Sequence, residues 1–290
     1  MSAVITVLTE PFSYGFMTNA FLVATAASLV CALLSCWLVL IGWSLLGDAI
    51  SHAVLPGVVL AHMLGLPFTL GALVFGMASV ALIGVVRDTS RVKGDAAIGV
   101  VFTAFFAAGL ILKSRNPANT DLNSIIFGNV LGISPVDRAM VLSLAAVVTA
   151  VLLAKRRDLT LFAFDRTHAH AIGLRPARIN ALLLVLLALT TIVALQVVGV
   201  ILVVAMLIIP GSTAHLLTDR MGTMLLVAPA IATGSTVIGL YIAYWTNASS
   251  AGWIIVCQSL AFGAAYLGSP RHGIIPRMMR RRRESRGSLG

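Results

Sequence analysis

An aspartate and a histidine, Asp48 and His52, stand four residues apart in a stretch that otherwise reads as membrane: GWSLLGDAISHAVLPGVVLAHMLG, residues 42–65. At i and i+4 on a helix the two side chains share one face. A carboxylate and an imidazole so placed form a partial site for Mn²⁺, Fe²⁺ or Zn²⁺, and alone they do not select among these ions. Two ligands do not fill a coordination shell, so the others must come from elsewhere or from water. Two further readings stay open on the residues alone. The pair can relay protons, or Asp48 can cap a helix beginning near Ala49 with His52 packed beside it. A charge near a bilayer centre costs at least ~2.5–3.5 kcal/mol, which by default marks Asp48 as functional. His62 follows Asp48 by 14 residues, about 21 Å along an unbroken helix, too far for the same shell.

Other polar residues fall in apolar surroundings: Gln196, Met206 and His215. Methionine at such a place is most often a packing residue. Asp95 opens an apolar segment and can cap it, Asp121 falls in an expected external loop, and His168, His170 and His272 fall in polar stretches. Cys31, Cys36 and Cys257 sit singly inside apolar runs, so they read as packing residues and imply no disulfide framework. No GxxxxGK[ST] phosphate loop is present among the three lysines Lys93, Lys113 and Lys155, so ATP is not hydrolysed here by that mechanism. There is also no HExxH and no nucleophile elbow. The chain reads as a non-enzyme with no permanently bound cofactor.

The elements that must position Asp48 and His52 follow from composition. The 290 residues are 59% apolar and 10% charged, with mean hydropathy +1.01. Soluble domains carry roughly 25% charged residues, so the apolar excess must face lipid. The expected fold is all-α and polytopic, a single membrane domain over 1–290 with its core at 12–270. Apolar segments lie at about 17–42, 48–64, 67–86, 95–113, 136–154, 179–195, 197–217, 223–245 and 250–268. About eight of these are expected to span, because Pro56, Gly199, Pro210 and Gly211 point to broken half-helices. The stretch 120–132 is short and reads as re-entrant or interfacial. The first apolar run lacks a signal-peptide pattern and reads as a retained span.

Basic residues set the sidedness. Arg87, Arg91 and Lys93 mark one loop, residues 155–178 a second, Arg220 a third, and Arg280 to Arg283 the tail at 271–290. All four fall on one side when nine segments cross, which makes the C-terminus cytoplasmic. The N-terminal stretch, with Glu10 as its one charge, does not decide its own side. The net charge of +10 fits cytoplasmic loops and lipid headgroups better than nucleic acid. Within the second loop, LFAFDRTHAHAIGL (161–174) permits a short amphipathic helix closed by Gly173 and Pro176. Such a helix can lie in the interface or dock into a partner.

The blocks GDAISHAVLPGVVLA (47–61), GDAAIGVVFTAFFAAGLIL (94–112), FDRTHAHAIGL (164–174), VGVILVVAMLIIPGSTAHLLTDRMG (198–222) and SPRHGII (269–275) resemble, in order, the permease subunits of bacterial metal-uptake ABC importers, the ABC-3 family. The resemblance spans nearly the whole chain. It implies a multi-pass inner-membrane permease that moves a divalent metal by alternating access. Its implied partners are a cytoplasmic ABC ATPase, an extracytoplasmic metal-binding protein and a second permease copy, as a homodimer or close pair. It maps metal contact onto Asp48 and His52. It maps the coupling helix onto 161–174, with Phe164, Asp165, His168, Ala169 and Gly173. Pro56 and the AML around Met206 look more like manganese or iron members than zinc members, so manganese is expected first. Met206 and His215 are further pathway candidates. His215 departs from the aromatic or Arg common at that place, and it reads as a neutral change near the membrane edge or as an added ligand.

Overall fold

The computed structural model describes residues 10–91, 94–115, 132–269 and Gly273. The expected re-entrant element at 120–132 (Gly132 excepted), Asp121, Lys93, and the basic tail with His272 lie outside them. Among the described residues there is no strand, and helices satisfy their own backbone hydrogen bonds, as a bilayer requires of a span.

The helices are α1 (Gly15–Ile41), α2 (Leu46–Ala53), α3 (Leu55–Met63), α4 (Phe68–Thr89), α5 (Gly94–Arg115), α6 (Pro135–Ala154), α7 (Arg156–Phe164), α8 (Arg166–Ala171), α9 (Pro176–Val198), α10 (Val200–Leu217), α11 (Met221–Thr246) and α12 (Ser250–Gly268). Eight stretches are long and apolar enough to cross a membrane, with Leu46–Met63 counted as one, and α6 with α7, bent by 66°, makes a ninth. Three of the span ends fall at positive-φ residues. Gly42 takes φ +82° after α1, Asn247 takes φ 48° after α11, and Gly199 takes φ +80° between α9 and α10. Prolines open α9 and α3 within their first turns, where the missing N–H costs nothing.

Two expected breaks fall differently. Pro56 leaves only a helical turn at Val54, so the Asp48 span stays one span. Pro210 sits inside a continuous α10, and the break lies at Gly199 instead. Beside Pro210, the Gly211 N–H donates to Ser35 Oγ on α1 at 3.0 Å, a side-chain repair that lets the helix continue.

α1 is the axis of the bundle, packed against α10, α11, α6 and α9. In its most apolar stretch 67% of residues are buried, and 72% in Leu46–Met63, against 22% in α5 and in α12. The last two therefore offer their flanks to lipid or to another protein. Small residues let helices approach closely: Gly57 on α3 and Gly71 on α4 meet backbone to backbone, and Gly211 meets Ser35.

Contacts at the two ends sort the loops. Trp43, Arg87 and Arg166 meet at one end, where Ser269 Oγ also donates to the Leu216 carbonyl at 2.6 Å. At the other end Tyr244 Oη lies 3.4 Å from Glu10 Oε1, and Arg138 donates to Asn19 Oδ1 at 2.6 Å. The first span therefore starts at the face opposite the one where the last span ends. That parity requires an odd number of crossings, which α6 supplies as the ninth.

Candidate functional site

Asp48 lies in the first turn of α2, which starts at Leu46 with no side-chain cap. The capping role open to it is not what the structure shows; its carboxylate faces His52 instead. His52 Nε2 lies 3.3 Å from Asp48 Oδ1, and both side chains are about one-third exposed, at 35% and 34%. They stay accessible because they border a cavity of about 380 Å³. Its walls are α2 and α3 (Ser51, Val54, Leu55, Val58), α5 (Phe106, Leu110) and the two sides of the α9–α10 turn (Leu195, Val200, Ile201, Val204). The wall is apolar apart from Asp48, Ser51 and His52, and the Ser51 hydroxyl donates to the Gly47 carbonyl at 2.9 Å. Two carbons-and-hydrogen faces thus enclose one carboxylate and one imidazole, an arrangement that directs any cation in the cavity to those two groups.

The imidazole is positioned by aromatic contact. The Phe106 ring stands edge-on to His52 with centroids 5.2 Å apart, and Phe102 lies at 6.0 Å. Both come from α5, which packs against α2 and α3. An ion about 2.1 Å from each ligand atom would see a 3.3 Å separation at an angle of about 100°. That lies between the octahedral and tetrahedral ideals. Among the described residues no group of three His, Cys, Asp or Glu is assembled, so Asp48 and His52 stand as a pair with no third such side chain beside them.

The other candidates are apart from this pair. His62 is exposed at the last turn of α3. Met206 is fully buried in the core, on α10 but not on the cavity wall. His215 is exposed near the end of α10, about 22 Å of helix from Val200. Asp95 lies in the first turn of α5 and lines a separate crevice with Trp43 and Arg87.

The amphipathic segment is two helices rather than one. α7 ends at Phe164 because Asp165 turns extended (φ −148°, ψ 100°), and its Oδ1 accepts the His168 N–H at 2.8 Å to cap α8. Gly173 at φ +87° closes the segment, and Leu174 N–H returns to the Ala169 carbonyl at 3.1 Å. Phe164 is 63% exposed and His168 is exposed, whereas Ala169 is fully buried and serves packing. Phe102, Phe106 and Trp43 do not stand out in the sequence; the i, i+4 aromatic spacing 102/106 within the quoted 94–112 block is the signal that could have found the first two.

The profile of the ABC 3 transport family matches residues 13–268. The chain belongs to that family, the membrane permeases of metal-uptake ABC importers whose motifs it resembles. It is 47% identical to the manganese transport system membrane protein MntB of a Synechocystis species, over 95% of this chain and 90% of that one. It is 42% identical to the chelated iron transport system membrane protein YfeC of Yersinia pestis, over 96% and 95%. Among solved structures, PsaBC from Streptococcus pneumoniae in complex with Fab superposes with a TM-score of 0.83 at 34% identity, covering 93% of this chain and 97% of that one.

Proposed function

We propose that this chain is the ion-conducting permease of an ATP-driven importer of divalent transition metal, with manganese as its cargo. The observation that carries the reading is the Asp48–His52 pair, 3.3 Å apart on one wall of an otherwise apolar cavity inside the membrane. A hard carboxylate with a borderline imidazole suits Mn²⁺ or Fe²⁺ and tolerates Zn²⁺. Relatives named for manganese and for iron support the first two.

The partial shell is completed by water or by the same pair from a second copy. Ion delivery falls to an extracytoplasmic metal-binding protein, and ATP hydrolysis to a cytoplasmic ABC ATPase docked on α7–α8. The basic loops and the end of α12 then face the cytoplasm, and Tyr14 faces outward. Val200, Ile201 and Leu195 of the cavity wall flank the α9–α10 turn at the outward end, and on this reading the ion enters from that side. The cycle is alternating access: the ion enters, Asp48 and His52 hold it, nucleotide-driven closure moves the docked segment, and the ion leaves inward. Coupling requires that the two states differ in affinity for the ion.

The test is cellular manganese, iron and zinc content under metal limitation, with wild type, Asp48→Asn and His52→Ala at equal membrane abundance. Loss of one metal in both variants names the cargo. Unchanged content of all three removes the pair from the pathway. Uptake that persists in ATP-depleted vesicles under an imposed proton gradient would instead make the chain a proton-coupled carrier.

A further inference from the structure

Three segments meet on one side chain at the basic face. Trp43 lies in the turn between α1 and α2 and is only 7% exposed. The Arg166 guanidinium, at the start of α8, sits 5.9 Å from its ring centroid, and that of Arg87, at the end of α4, sits 4.9 Å from it. Arg166 also stands 5.0 Å over the ring of Phe162 on α7, so one guanidinium bridges an aromatic of the docking segment and the indole of the turn. One helical turn and a half higher, Trp37 Nε1 donates to Thr160 Oγ1 on α7 at 3.3 Å. The α7–α8 segment therefore grips the lower end of α1 through two tryptophans.

The position of Trp43 in the chain gives this grip a direction. Gly42, at φ +82°, lets the chain reverse out of α1, and the Trp43 N–H closes on the Leu38 carbonyl at 2.7 Å. Leu46 starts α2 three residues on, and Asp48 is in its first turn. Arg87 brings in the other wall: beyond it, the crevice under Trp43 is lined by Gly94, Asp95 and Ile98 of α5, the helix whose Phe102 and Phe106 hold His52. A shift of α8 that carries Arg166 thus reaches both sides of the cavity through a single ring. A tryptophan that merely anchored the chain at the headgroups would present its ring to lipid. This one is covered.

We propose that Trp43 is the positioning residue that transmits movement of α7–α8 to Asp48 and His52, through cation–π contact of its indole with Arg166 and Arg87. The inference rests on the reading of α7–α8 as the docking segment and of Asp48–His52 as the ion site. The contact is the attraction of a cation to the face of an aromatic ring, which an aliphatic side chain of similar bulk does not reproduce. Transmission of this kind is a coupling between sites: trapped nucleotide must alter ion affinity, and the coupling residue must control by how much.

The experiment uses the intact transporter, isolated with the ATPase that co-purifies with the tagged permease. Mn²⁺ is the probe, and its Kd is measured with and without vanadate-trapped nucleotide. Wild type is expected to show a Kd ratio between the two states of at least fivefold. Trp43→Leu, which keeps apolar bulk, should bring the ratio to within twofold of unity while Kd without nucleotide stays within threefold of wild type. Trp43→Phe should retain most of the ratio. Arg166 is exposed, so Arg166→Gln folds even if a Trp43 variant does not, and it should behave as Trp43→Leu does, with Arg166→Lys restoring the ratio. A wild-type ratio in both Trp43→Leu and Arg166→Gln overturns the proposal, and so does a wild type whose Kd ignores nucleotide. Asp48→Asn separates the two claims. If it binds Mn²⁺ as tightly as wild type, the ion site has been misassigned, and the ratio in Trp43→Leu still decides whether the indole transmits.

Discussion

Gly57 and Gly71 face each other so closely that a Cβ on either overlaps the carbonyl oxygen of the other. Alanine at 57 also places its Cβ 2.8 Å from Phe75 Cβ. Carbon–oxygen contact needs roughly 3.3 Å, so α3 and α4 must part by on the order of 1 Å. A gap of that size forfeits about a quarter to a half of the dispersion energy across the seam. The obstacle is backbone, which cannot swing aside as the end of a side chain can. Overpacking costs about 1–3 kcal/mol in general, and Gly57→Ala belongs at the upper end, ~3 kcal/mol. At about 2–4 °C of Tm per kcal/mol, the purified protein should melt roughly 6–12 °C lower in detergent. Gly71→Ala attacks the same seam, its Cβ also meeting Ala61 Cβ at 2.7 Å. The two costs therefore do not add: the second Cβ enters a gap that the first has opened. Gly99→Ala on α5, with nothing within 4 Å of its Cβ, is the control and should melt no lower than wild type. Scanning fluorimetry decides. A Gly57→Ala protein within 1 °C of wild type, or a double variant whose loss equals the sum, refutes the packing argument.

Further expectations concern the site and the topology. Asp48→Asn keeps shape and removes charge. Truncating one partner of a buried charge contact costs binding about 2–5 kcal/mol, and at one-third exposure the low end applies, ~2 kcal/mol or about 30-fold in Mn²⁺ Kd by equilibrium binding; a change under threefold counts against the site. Phe106→Ala removes the edge-on partner of His52 and should weaken Mn²⁺ binding by about three- to tenfold, the equivalent of ~0.5–1.5 kcal/mol; an unchanged Kd means the ring does not orient the imidazole. Ser35→Ala strips the Gly211 N–H of its side-chain acceptor and should cost about 1–2 kcal/mol of stability, read by the same melting assay. Single cysteines at Ser13 and Ala248 should react with an impermeant maleimide in intact cells, and one at Thr167 only after permeabilisation. Cys31 and Cys36 are buried, so Cys257 is the native thiol to replace first, and reaction at Thr167 in intact cells inverts the topology.

The apolar runs located the spans to within about three residues at most ends, because lipid imposes a length and a hydropathy that no tertiary contact can override. The Asp48–His52 geometry was legible too, since i and i+4 on any helix share a face. What the sequence hid were consequences of packing between distant elements. Pro210 reads as a break, yet Ser35, 175 positions earlier, takes up the strain at Gly211 and the helix runs on. Asp165 reads as one polar residue in an amphipathic run, yet its side chain caps α8 and so divides the segment in two. Met206 reads as a pathway residue from its motif, and the rotation of α10 turns it into the core and turns Val204 toward the cavity. The aromatic walls of His52 depend on α5 crossing α2, which no local pattern encodes.

The opposite exits of the first and last spans constrain how such a protein can be joined to others. A second permease copy cannot be appended to the end of α12 by a short polar linker, because its first span would have to start on the wrong face of the bilayer. A tandem gene would need an extra crossing of about 20 apolar residues between the halves. The end of α12 does emerge on the same face as α7 and α8, so a nucleotide-hydrolysing domain fused there would already be on the face that the proposed cycle drives. On the proposed assembly, a pair of permeases is therefore best served by separate chains, and permease–ATPase fusion is the topologically open route.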